Sequence, residues 1–277
     1  MKRLLPIVLL ASQLLTTPAT AATPESWTRA VEPVRIAGNL YYVGSEELGA
    51  YALVGKEGTI LLDAPMEENA EALLASLRKI GVKPKQVRIL LNSHAHFDHA
   101  GGFAKIKKAT KARLYLSPGD AELMARGGRD DFAFGDRFPF PPVKADALLT
   151  DNQTIRLGDV SMTALFTPGH TRGCTSWRTT VVENQKPLDV VIVCSLTAPG
   201  YQLVKNEKYP EIMEDYRRSI ERLRKLDPDI FLSNHASFFD LQKKREGQAS
   251  FVQKGELARH LDWAWGRLQE QAQKQRE

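Results

Sequence analysis

The sequence predicts an α/β domain in which sheets pack between layers of helix. Three observations predict it. Short β-like runs alternate with amphipathic helical segments along the chain. The run 87–91 (VRILL) is apolar without alternation, which marks a strand buried on both faces. The 277 residues are 43% hydrophobic, enough to bury a large core, and no shift in composition divides them into two domains.

Each element has its own signal. Strands are expected at 34–37, 40–43, 51–54 and 59–62, separated by the turn residues Gly38-Asn39 and Gly55-Lys56-Glu57-Gly58. A helix over 67–80 places Ala70, Leu73, Leu74, Leu77 and Ile80 on one face, and Gly81 stops it. Strand 87–91 runs directly into the polar segment NSHAHFDHAGG. A helix starts near Gly102, a strand covers 113–116, and Ser117-Pro118 opens a helix ending around Gly127-Gly128. Residues 129–146 (RDDFAFGDRFPFPPVKAD) have no periodicity and form a loop. Its phenylalanines either face a substrate or plug into the core, and the sequence leaves both open. Strands return at 160–166, 176–182 and 190–193. A helix over 211–226 faces inward through Ile212, Tyr216, Ile220 and Leu223, and a short strand at 230–232 ends at Ser233-Asn234-His235. A long helix from about Gln248 turns Phe251, Leu257, Leu261, Ala264 and Leu268 inward, and its polar tail is expected to fray.

The first residues, MKRLLPIVLLASQLLTTPATAA, pair a basic start with a short apolar run and an Ala19-Thr20-Ala21 cleavage pattern. Residues 1–21 are expected to be a secretory signal peptide, leaving a domain over 22–277 that is periplasmic or secreted. The apolar run is too short and too interrupted by Pro6 to anchor the chain in a bilayer, and no later segment is apolar enough to cross one. The net charge of +5 is spread among acidic residues with no basic stripe, so a nucleic-acid partner is not expected. Export permits a disulfide, but the sequence leaves the pairing of Cys174 and Cys194 open.

Four residues of types that bind zinc stand within six positions: His94, His96, Asp98 and His99. Two further histidines, His170 in TPGHTRG and His235 in SNHAS, follow the C-terminal ends of β-runs. Together they complete two sets of three protein ligands, and three ligands with an open position mark a catalytic rather than a structural zinc site. The sixth histidine, His260, stands among Glu, Arg and Asp in a helix and is expected to be exposed. No Gly-x-Ser-x-Gly nucleophile motif occurs.

The run His94-Ala95-His96-Phe97-Asp98-His99 before Ala100-Gly101-Gly102 resembles the signature of the metallo-β-lactamase superfamily. Trp27, GGRDDFAFGDRF, HTRGCTSW, CSLTAPGYQL, EDYRRSIERL and SNHASFF resemble the third subclass of the class B β-lactamases, so the likeness covers nearly all of the mature chain. It implies a four-layer αββα sandwich, two Zn2+ per chain and metal-assisted hydrolysis of the β-lactam amide of penicillins, cephalosporins and carbapenems. It assigns His94, His96 and His170 to the first zinc, and Asp98, His99 and His235 to the second. Asp98 also takes the catalytic role of orienting the attacking water. Ser195 and Thr197 would bind the substrate carboxylate. Their spacing of two turns them to one face and Cys194 to the other. The family more often has serine where this chain has Thr197. Superfamily lactonases carry a metal-bridging Asp in the strand before the last ligand, where this chain has Ser195, and the other two subclasses lack a counterpart of His99. The expected partner is a small β-lactam, with no membrane partner after signal removal, and the expected state is a monomer. The alternative is another hydrolase of this fold, acting on a lactone, thioester or phosphodiester.

Overall fold

The computed structural model describes residues 23–277, so the expected signal segment lies outside the described residues. A short helix α1 (Glu25–Thr28) leads into a meander of antiparallel strands: β1 (Val34–Ala37), β2 (Leu40–Tyr42), β3 (Tyr51–Gly55) and β4 (Gly58–Leu62). Helix α2 (Ala70–Lys79) then crosses over so that β5 (Val87–Leu91) pairs parallel with β4. Two more crossovers, through α3 (Phe97–Ala100) with α4 (Phe103–Thr110) and through α5 (Pro118–Ala125), add β6 (Arg113–Leu116) and β7 (Ala147–Leu148) in parallel. The result is a seven-stranded sheet in chain order.

The second sheet has five strands. Strands β8 (Thr154–Leu157), β9 (Val160–Phe166), β10 (Thr175–Glu183) and β11 (Lys186–Val193) form an antiparallel meander. Asn184 and Gln185 both adopt positive φ between β10 and β11, the conformation of a two-residue type I′ hairpin turn. Helix α6 (Ile212–Leu223) then carries the chain to β12 (Ile230–Ser233), which pairs parallel with β11. Helices α7 (Leu241–Arg245) and α8 (Glu256–Lys274) close the chain.

Side-chain alternation assigns the layers. Ile60, Leu62, Ile89 and Leu91 of the first sheet pack in one core with Met162, Trp177 and Ile192 of the second. Val191, one residue out of phase, points the other way beside Phe231, whose ring meets His260 of α8, on the side of that sheet that α8 covers. Leu61 and Leu90, one residue out of phase, point the other way onto Leu73, Leu77, Phe103 and Ile106 of α2 and α4. The order is therefore helix, sheet, sheet, helix: the expected four-layer αββα sandwich.

Several expectations need correction. The last helix starts at Glu256, not near Gln248, because Gly255 holds φ of 79°, outside helical space. His260 is buried, only 8% exposed, with ring centroids 4.9, 5.3 and 5.4 Å from those of Phe231, Phe238 and Trp263. It stands three residues after Leu257 and four before Ala264, so the 3.6-residue period places it on the inward stripe whatever the polarity of its neighbours. The C-terminal tail is docked. Gln271 donates to the carbonyls of Ala198 and Tyr201, and the Gln275 side chain accepts from the Leu203 amide. Strand β8 and helix α7 had no recognised signal. Cys174 and Cys194 are joined by a disulfide across 5.9 Å between Cα atoms. Among the described residues no helix is long and apolar enough to cross a membrane.

Candidate metal centre

The donors converge because strand ends from both sheets reach one edge of the sandwich. Strand β5 of the first sheet ends at Leu91 and delivers residues 92–99. His96 is the extended residue before α3, and the single turn of that helix carries Asp98 and His99. Two buried carboxylates pin this segment from behind. Asp63 accepts from the Ser93 amide at 2.6 Å and from the Asn92 side chain at 2.9 Å. Asp120 accepts from the Ala95 amide at 2.9 Å, the Thr171 hydroxyl at 2.8 Å and the Gly173 amide at 2.9 Å, which ties the segment to the loop after β9. Burial raises the Asp63 carboxyl to about 7, against the opposing effect of its hydrogen bonds. Neither Asp63 nor Asp120 was anticipated, since a lone Asp in a loop carries no signal of which backbone it will hold.

The second sheet supplies the remaining histidines. His170 follows β9 after Gly169, whose φ of 141° and approach to Tyr216 leave no room for a side chain: an added Cβ would lie 2.6 Å from the ring. His235 follows β12, where an isolated backbone bridge joins it to Leu48 in the loop between β2 and β3. The six predicted donors thus meet, and His260 lies apart from them.

His96 Nδ1 and His170 Nε2 stand 3.1 Å apart, and the His94 ring centroid lies 4.9 and 4.6 Å from theirs. His99 Nε2 and His235 Nε2 stand 3.2 Å apart, with Asp98 Oδ2 at 3.2 and 3.6 Å from them. The donor atoms of His94, His96 and His170 all lie within 4.8 Å of one another, as do those of His94, Asp98 and His99. His94 also stands near both cysteine sulfurs, but the disulfide removes any thiolate there, so Cys194 is not available as a ligand.

The chemistry of the cluster fits zinc. His94 Nε2 is buried with no hydrogen-bond partner among the described residues. Burial and the neighbouring imidazoles push the pKa of His94 far down and that of His170 to about 3, so both rings are neutral at pH 7. Burial opposes ionisation of Asp98, but His99 and His235 outweigh it and hold the carboxyl below its usual range. The neutral rings of His94 and His170 and the ionised Asp98 carboxylate, set among three more imidazoles, make a donor set of the kind zinc takes.

Ser195 and Thr197 lie just past the end of β11 and face the same way, with their hydroxyls 2.9 Å apart. The Thr197 carbonyl accepts from Tyr216 OH at 2.7 Å and lies 2.7 Å from His170 Nδ1. The phenylalanines of loop 129–146 divide between the core and the rim of the histidine cluster. Phe140 is buried in the outer core, and Phe132 packs edge-on to Tyr201 and Tyr209. Phe134 and Phe138 are half-buried and continue a rim of rings from His96 through Phe97 to Trp27, which reaches His235 at 5.8 Å between centroids. The chain has one Ser-x-x-Lys spacing, Ser76 to Lys79, on the outer helix α2 and away from the cluster.

Fold and site together define a class: an αββα sandwich with a metal-binding His/Asp centre where its two sheets meet. The chain belongs to the metallo-β-lactamase superfamily, whose family model matches residues 49–235. Among solved structures it is similar to a metallo-β-lactamase of Cronobacter sakazakii described by its HARLDQ motif, at 39% identity and TM-score 0.87, over 91% of this chain and 98% of that one. Where that motif reads Arg and Gln, this chain has His96 and His99. It is also similar to the FEZ-1 metallo-β-lactamase of Legionella gormanii (38%, TM-score 0.86, 90% and 98% covered). A third such structure is BJP-1, a subclass B3 metallo-β-lactamase of Bradyrhizobium japonicum (32%, TM-score 0.85, 91% and 97% covered). Among curated proteins, the N-acyl homoserine lactonase AttM of Azorhizobium caulinodans is 28% identical over 58% of this chain, and the match spans 62% of the lactonase's length.

Proposed function

We propose that the chain is an exported, monomeric di-zinc β-lactamase that opens the β-lactam amide of penicillins, cephalosporins and carbapenems and so confers antibiotic resistance. The convergence of the six donors at one sandwich edge carries this reading, and the 39% identity to a metallo-β-lactamase over 91% of the chain supports it. His94, His96 and His170 would hold the first zinc, and Asp98, His99 and His235 the second. Zinc, when bound, supplies Lewis acidity that lowers the pKa of water to about 7 and polarises a carbonyl.

The remaining work falls to the chain. Asp98 accepts a hydrogen bond from the attacking water and orients it toward the carbonyl carbon. The Ser195 and Thr197 hydroxyls donate to the substrate carboxylate from one side of the site. Phe134, Phe138, Phe97 and Trp27 wall the other side, packing against the substrate and excluding bulk water.

The test is turnover of nitrocefin and a carbapenem by protein lacking residues 1–21, with metal counting. Hydrolysis that stops with a chelator and returns with zinc is expected. A folded, zinc-loaded sample that leaves every β-lactam intact but opens an acyl-homoserine lactone would favour the second reading, which the AttM match supports.

A further inference from the structure

A histidine that gives one ring nitrogen to a metal carries its proton on the other, and that N–H needs an acceptor. Three of the five histidines in the cluster have one within hydrogen-bond distance, and a fourth faces one just beyond it. The Ser93 hydroxyl lies 3.1 Å from His94 Nδ1, and the Thr197 carbonyl lies 2.7 Å from His170 Nδ1. The other two face carboxylates outside the proposed donor set. Asp131 Oδ2 stands 3.6 Å from His96 Nε2, and Glu47 Oε1 stands 3.3 Å from His235 Nδ1. Asp131 Oδ2 and His96 Nε2 are both buried, and neither has a hydrogen-bond partner among the described residues. His99 Nδ1, by contrast, meets no acceptor among the described residues.

Both carboxylates are themselves held. Asp131 Oδ1 accepts from the amides of Ala133 and Phe134 at 2.8 Å, at the root of the aromatic loop. Glu47 Oε1 accepts from the Ser237 hydroxyl at 2.6 Å, and the Glu47 carbonyl accepts from the Ala236 amide at 2.7 Å, beside the bridge between Leu48 and His235. One carboxylate thus reaches each half of the cluster, from separate loops.

We infer that Glu47 and Asp131 are positioning residues, one for each half of the donor set, holding His235 and His96 in the tautomer and ring orientation that leave the cluster-facing nitrogen free for zinc. The inference rests on the zinc reading above. Charge supports it. Two divalent ions meet only one anionic donor, Asp98, and Glu47 and Asp131 bring two more negative charges to the buried surroundings.

The test is zinc affinity, measured on metal-stripped protein by competition with a chromophoric chelator. Glu47→Gln keeps shape and the one oxygen shared by Ser237 and His235 but removes its charge. Asp131→Asn keeps the oxygen that holds Ala133 and Phe134 but puts an amide donor in place of the anionic acceptor facing His96. Each variant is expected to weaken one of the two zinc-binding steps by about 10- to 100-fold and leave the other within about twofold, with E47Q and D131N affecting different steps. The thermal midpoints of the metal-stripped variants should match that of the stripped wild type, which a merely structural role would not preserve. Wild-type affinities at both steps in both variants would overturn the inference and leave the zinc reading standing. The same step weakened in both variants would overturn the assignment of one carboxylate to each half. A wild type that binds no zinc would overturn the metal reading and the inference together.

Discussion

Replacing His260 with leucine should flatten the acid limb of the protein's stability curve. Burial lowers the His260 pKa from 6.5 to about 4. The unfolded chain takes up a proton near pH 6.5 that the native state refuses until about pH 4. Stability from this group is therefore complete above pH 6.5 and is lost as pH falls through 4. The loss is about 2 kcal/mol at pH 5 and about 3 kcal/mol at pH 4. Leucine keeps an apolar side chain among Phe231, Phe238 and Trp263 and cannot take a proton. Urea unfolding of wild type and H260L at pH 7.5, 5 and 4 reads the effect. His94 and His170 titrate in both proteins, so their contribution cancels in the difference. The stability difference between the two should move about 2 kcal/mol in the variant's favour between pH 7.5 and 5. Parallel curves would refute the burial argument.

Three further outcomes are expected. His235→Ala should lower the metal content from two zinc ions per chain toward one and cut β-lactam turnover by at least tenfold, checked by metal counting and initial rates; unchanged zinc content would remove His235 from the second site. Replacing both Cys174 and Cys194 with alanine should cost about 3 kcal/mol, the loop-closure entropy for their separation of 20 residues, read as a lower denaturant midpoint. Phe134→Ala should raise KM about two- to tenfold with kcat little changed, as the proposed function requires of a ring that lines the rim beside His96 away from the reacting atoms; a fall in kcat alone would contradict that placement.

Much of this protein is legible in one dimension. Period-2 and period-3.6 patterns are local, so β1, β5, β6 and β9 emerge at the expected residues and α2, α4 and α6 within a few. The density of donors from His94 to His99 is local too, because six consecutive residues cannot separate far whatever the fold. His260 shows how local signals conflict: polar neighbours pointed to solvent, while its spacing from Leu257 and Ala264 pointed to the core, and the spacing prevailed.

The tertiary structure decided how separate side chains meet. Sequence set His170 and His235, at strand ends, apart from His260 in a helix, but those two reach the cluster because β9 and β12 end at the edge where β5 ends, a consequence of strand order and sheet packing. The Cys174–Cys194 bond, the carboxylates of Asp63, Asp120, Asp131 and Glu47, and the split between Phe140 in the core and Phe134 at the rim arise in the same way. Each is a contact between segments far apart in the chain. Short-range sequence sets backbone preference and facing, but such contacts depend on how two whole sheets close on one another.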